Sequence, residues 1–185
     1  MYVLRLLRIF VPLLIVAAIV AGSVLVLTAR SDLQRSRKQV DSAWAPLRTL
    51  LDRRYLTLAS ANDKLQSVPG PVHQLVEQVS DAYGTWRSLE EHNGSVTAEV
   101  VAANDLESLG RRLVLAARAT PRLAGDAVAL APANAFAALT PPAAAGHFDA
   151  TVHSFEQARN RPARSLAARI LGYGSIPTYD SSGFG

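Results

Sequence analysis

The chain has 185 residues, 19 basic and 15 acidic side chains, a formal net charge of +4 and no cysteine. Disulfides and thiolate metal sites are therefore excluded. The basic excess is local, with no lysine-rich tail and no basic patch interleaved with aromatics, which argues against nucleic acid as a partner.

The first element is Ile9–Ala29, 21 residues without a charge, of which 13 are Leu, Ile, Val or Phe. At ~1.5 Å per residue, a helix of this length reaches about 31 Å, close to the hydrocarbon thickness of a bilayer. Its apolar side chains favour insertion by about 5 kcal/mol as an upper bound. Pro12 falls in the first turn, where a missing N–H costs little. We read the stretch as an uncleaved single transmembrane helix in contact with membrane lipid. The alternatives are a cleavable signal peptide and, behind it, a buried core helix. Against the signal peptide, the apolar run exceeds the usual ~7–15 residues, and Leu27-Thr28-Ala29 is a poor cleavage triplet. Arg5 and Arg8 precede the span, whereas Arg30, Arg35, Arg37 and Lys38 come after it. The positive-inside rule then places the chain beyond the span on the cytoplasmic side of the membrane. Small residues Ala17, Ala18, Ala21 and Gly22 at four-residue spacing leave a homo-oligomer through the span open.

Beyond the span the pattern becomes amphipathic. Leu33, Val40, Leu47, Arg54 and Ala61 form one seven-residue row; Arg37, Trp44, Leu51, Leu58 and Leu65 form the other. Together they predict a long helix, or two stacked ones, with a kink or restart at Pro46. Ser67-Val68-Pro69-Gly70-Pro71 ends it. A second helix is predicted over 72–91, with Val72, Leu75, Val76, Val79, Tyr83, Trp86 and Leu89 as its apolar stripe. A third, over 96–118, is capped by Ser95 or Thr97 and striped by Val100/Val101, Leu106, Leu109, Leu113 and Ala116/Ala117. Gly110 in its middle suggests the close approach of another backbone. Residues 123–140 predict one or two short helices around Pro132. Residues 143–159 predict a helix with Phe148, Val152 and Phe155 on one face, and 163–171 a short last one. The tail is rich in Gly and Ser. The predicted organisation is a flank at 1–8, a transmembrane helix at 9–29, a long antiparallel all-α bundle at 30–172 and a flexible tail at 173–185.

Arg37-Lys38-Gln39-Val40-Asp41-Ser42-Ala43-Trp44, followed by Leu51-Asp52-Arg53-Arg54-Tyr55, resembles the R-N-x-V-D-x-A-W … L-x-R-R-Y signature of LemA-family proteins. The segment from Asn104 to Leu123, with Pro121, resembles the family's segment ending in Y-P-x-L, Thr120 replacing the tyrosine. Phe148, Val152, Phe155, Pro162, Gly172 and Tyr173 keep the spacing of the family's closing motif. Lys38 stands where the family has asparagine, Ala59-Ser60 replaces a Pro-Asn pair, and Pro46 is foreign to the motif. The resemblance implies a bacterial protein with one N-terminal span and a long helical bundle, and no established catalytic chemistry.

The residues themselves give little sign of an enzyme. H-E-x-x-H, G-x-S-x-G and phosphate-loop patterns are missing from the sequence, and Gly172-Tyr173-Gly174-Ser175 comes after a predicted helix instead of opening one. His147, His153 and Glu156 are the nearest approach to a metal set, and a solvated helix face explains them better. No cofactor is expected. Arg37 and Arg54 occupy seam positions, where a charge needs a partner; Asp41 lies four residues from Arg37. The expectation is a non-enzymatic scaffold or adaptor for other, unidentified proteins. The alternatives are a bundle that binds a lipid or small molecule and a weakly marked enzyme.

Overall fold

The computed structural model describes the backbone of residues 2–123, 125–139 and 142–180 and the side chains of residues 27–123, 125–139, 143–162 and 164–180. Among the described residues there are six helices and no strand. They are α1 (Tyr2–Leu65), α2 (Pro71–Glu91), α3 (Val96–Ala119), α4 (Ala127–Ala138), α5 (Pro142–Arg159) and α6 (Pro162–Leu171). The chain is all-α and a helical bundle. Most of the predicted span, residues 9–26, lies outside the residues whose side chains are described. Among the described residues no single helix is long and apolar enough to cross a membrane.

The chain divides into two compact units, one of residues up to Gln39 with His153–Ser175, the other of Val40–Val152 with the residues from Ile176. In the first, Ala29, Leu33, Phe155, Ala167 and Ala168 are buried, and Arg164 of α6 pairs with Asp32 of α1 at 2.6 Å. Gly172 ends α6 at φ +71°, a left-handed conformation that glycine adopts without strain. The Tyr173 N–H then bonds back to the Ala168 carbonyl at 2.9 Å.

In the second unit, Val40, Trp44, Leu47, Leu51, Leu58, Ala61 and Leu65 are all buried, as the seven-residue rows require. α1 does not restart at Pro46 but runs unbroken through it. Ser42 and Pro46 are both exposed, so water can bond the Ser42 carbonyl that has lost its helical donor. Gly70, at φ +89°, turns the chain into α2, and Pro71 occupies the first turn, where no N–H is needed. Trp86 to Asp52 and Asn62 to Ser80 link α2 to α1 in antiparallel order. Trp44 to Glu99 and Arg54 to Glu107 link α3 to α1 in parallel order. The Ser95 hydroxyl caps α3 by accepting from the Ala98 N–H at 3.2 Å. α4 is a single helix containing Pro132, capped by Asp126, which accepts from the Val128 and Ala129 N–H groups.

Two sequence expectations take a different form. Gly110 makes room for a ring and not for a backbone: a Cβ there would lie 2.6 Å from Cζ of Phe136. The tail is not loose throughout. Ile176 and Tyr179 are buried, and the segment between them is tied to α3 and α5.

Candidate functional site

Two adjoining turns of α1 carry the chemistry of the second unit. Trp44 points its indole into the bundle, and its Nε1–H donates to Glu99 Oε2 at 2.5 Å. Glu99 is 3% exposed, and its other oxygen lies 3.5 Å from Arg48 Nη2. One turn further on, Asp52 Oδ1 accepts from Trp86 Nε1–H at 3.1 Å. Each indole thus satisfies its single donor with a carboxylate. The rings also support one another: Trp44 meets Phe148 at 5.0 Å and the edge of Trp86 at 6.4 Å, and Tyr55 meets Trp86 edge-on at 5.1 Å.

These residues line a cleft of about 460 Å³, bounded by Asp41, Arg48, Asp52, Glu90 and Glu99 with Trp44 on its wall. Four carboxylates and the Arg48 guanidinium line it, and Arg87 of α2 pairs with one of the four, Glu90, at 2.6 Å. Asn93, at φ +50°, makes the tight turn that brings Gly94 to the rim. The Asp52 carboxyl is held above its ordinary value of 3.8, first by partial burial and then by repulsion from Glu90. The Trp86 N–H, Arg48 and Arg87 act in the opposite direction. The lining is rich in carboxylates, several of them already engaged: Glu99 by Trp44 and Arg48, Asp52 by the Trp86 N–H, and Glu90 by Arg87.

The neighbouring Arg54 makes four hydrogen bonds. Its Nε and Nη2 form a two-pronged bond to Glu107, at 2.7 and 2.8 Å. Its Nη1 donates to the carbonyls of Phe136 and Leu139 at the C-terminus of α4, and the guanidinium lies 4.0 Å from the Phe136 ring centroid. Burial opposes the charge, but the Glu107 carboxylate more than restores it, so the proton of Arg54 is held more firmly than usual. The Tyr55 hydroxyl donates to the Ala103 carbonyl at 3.0 Å. The buried Tyr179 hydroxyl lies close to both Glu107 and Tyr55. Burial first, then the Glu107 charge, pushes both phenols far above 10.0.

The motif residues fall into distinct roles. Val40, Ala43, Trp44, Leu51, Arg54, Tyr55, Phe148 and Val152 are buried in the second unit. Phe155 is buried in the first unit, where Gly172 and Tyr173 terminate α6. Arg37 is half-buried, whereas Asp41, Arg53 and Pro121 are exposed. Pro121 lines a shallower hollow of about 400 Å³ with Val68, Pro69, Gly70, Thr120 and Arg122. His147 and His153 are both exposed, and among the described residues no group of three His, Asp or Glu side chains is placed to hold a metal ion. Glu99 and Glu107 are hidden in the sequence because acids eight apart on a helix read as solvated charges. Their signal is the run of small residues Ala103, Gly110 and Ala117 on the same face, together with an arginine in the α1 seam.

Comparison of the chain with models of known protein families, with curated proteins and with solved structures finds no match in any of the three.

Proposed function

We propose that the chain is a membrane-anchored helical bundle of the LemA type that acts without catalysis, as a scaffold or adaptor for other membrane-associated proteins. In this reading the acidic cleft beside Trp44 receives a lysine or arginine side chain of a partner. The observation that carries it is the cleft itself: about 460 Å³ of open volume lined by the carboxylates of Asp41, Asp52, Glu90 and Glu99 beside Trp44. Carboxylates beside an aromatic wall complement a cation and its alkyl stem. The uncharged stretch at 9–29 supplies the anchor, and the basic residues after it favour the cytoplasmic face of a bacterial inner membrane.

The test has two arms. The protein should remain in the membrane fraction after an alkaline carbonate wash. A photo-crosslinking amino acid at Thr49, on the lip of the cleft, should capture a discrete partner through a basic segment, and Asp41→Lys with Glu90→Lys should abolish the adduct. Release by the wash removes the anchor; adducts to neutral or acidic segments that survive the charge reversal remove the adaptor role.

The cleft volume also suits a small organic cation. Titration with spermidine separates the two readings: saturable binding lost in the same double variant favours a small-molecule site.

A further inference from the structure

Residues 176–180 lie on the second unit as an extended peptide lies in a receptor. Three side chains at successive turns of one α3 face, Asn104, Glu107 and Arg111, meet them. The Asn104 amide reads the backbone at two points, Nδ2–H donating to the Thr178 carbonyl at 3.0 Å and Oδ1 accepting from the Asp180 N–H at 2.8 Å. Asp149 of α5 accepts the Tyr179 N–H at 2.9 Å. These contacts do for the segment what a neighbouring strand does in a sheet. Selectivity is added by side chains: Ile176 and Tyr179 are sunk to 4% and 3% exposure, the Tyr179 hydroxyl reaches Glu107, and Arg111 pairs with Asp180. Before the segment, Gly174 and Ser175 are exposed, and residues 173–180 adopt no helix.

We propose that this face of α3 and α5 is a docking groove for an extended apolar-x-x-Tyr-acidic peptide, and that the 176–180 segment of a second copy of the chain occupies it by exchange. The bonds described above all come from side chains of α3 and α5. The same bonds therefore form whether the segment arrives from its own chain or from a neighbour, and its lead-in has no regular structure to unmake. Exchange of an identical element is a low-cost route to self-association, and two chains confined to one membrane would meet at high effective concentration.

The chain has no cysteine, so introduced thiols are unique. Ser108, one turn beyond Asn104, and Thr178 are both exposed and are used as handles. In the full-length protein carrying Ser108→Cys and Thr178→Cys, a bis-maleimide spanning about 10 Å, enough to bridge one helical turn and the docked segment, should close an intrachain bridge. In a membrane holding a mixture of the two single variants, the only possible heterologous product is between chains, and it should form. Tyr179→Ala should reduce it about tenfold or more, the cost of removing a buried aromatic anchor. If that variant folds poorly, an excess of a synthetic peptide of residues 174–185 on the unaltered background should reduce it equally. No bridge in the double variant overturns the groove. A bridge there with none in the mixture overturns the exchange, as does an interchain product that neither Tyr179→Ala nor the peptide diminishes.

Discussion

The guanidinium of Arg54 and the carboxylate of Glu107 meet fork to fork, at 2.7 and 2.8 Å, with both residues at or below 4% exposure. The pair joins α1 to α3, and the remaining nitrogen of Arg54 reaches two carbonyls at the end of α4. Two ions deprived of water are tolerated here because they pair with one another and Arg54 makes four hydrogen bonds.

Removing one member should therefore be severe. Glu107→Gln or Arg54→Met should cost about 3–5 kcal/mol, because a buried charge is left without its counterion. Replacing both at once with apolar residues should cost less than the two single changes combined. A double-mutant cycle by urea unfolding checks this; additive losses would mean that the two groups do not depend on one another.

Gly110→Ala should destabilise by about 1–3 kcal/mol through overpacking, since the added methyl would fall 2.6 Å from Phe136 Cζ and 3.1 Å from a Leu58 methyl. Phe136→Leu in the same chain should recover part of that loss. Thermal unfolding of the two variants and the double variant measures the coupling.

The pH dependence at Asp52 has a definite sign. Its carboxyl is held above 3.8 by burial and by Glu90, so in the acid range the folded state binds the proton more readily than the unfolded chain. Its contribution to stability thus grows as pH falls through the folded value toward 3.8 and is unfavourable at neutrality. Asp52→Asn, which keeps an oxygen for the Trp86 N–H, should be as stable as the parent at pH 7 or more so. Its stability should also vary less with pH just above 3.8. Denaturant titrations at neutral and mildly acidic pH compare the two.

At the alkaline end the two phenols act together. Tyr55 and Tyr179 keep their protons in the folded state well past 10.0, where the unfolded chain loses them. Stability from both is present below that pH and declines as pH rises above it. Tyr179→Phe should flatten this alkaline decline, because one of the two phenols no longer titrates. Ultraviolet titration of tyrosinate alongside unfolding measures the change.

The helices were legible in the sequence because their signals are local: heptad rows in α1, a three-and-four stripe in α2, Ser95 before α3, and proline and glycine at the breaks. The partner of the buried seam arginine was not. Arg54 is bonded 53 residues away, to Glu107, and nothing in the periodicity of either helix specifies that register. Of the Val100/Val101 pair read for the α3 stripe, Val100 is buried and Val101 is 52% exposed, while Glu99 and Glu107 are buried. Hydrophobicity marks a face only where charge is not neutralised by a partner from another helix. The tail escaped for a related reason: Ile176 and Tyr179 are isolated apolar residues in a Gly/Ser-rich stretch, and their burial depends on a surface that exists only after α3 and α5 have packed.

Arg54 also governs how α4 can open. The twelve residues of this helix are mostly alanine, so few large side chains hold it, yet two carbonyls at its end lean on a guanidinium rooted in α1. Fraying of that end would strip the cation of half its acceptors while Glu107 stayed in place. The shortest helix of the second unit is thus coupled to a buried ion, and amide exchange in α4 should slow or quicken with that of the longer helices, not independently of them.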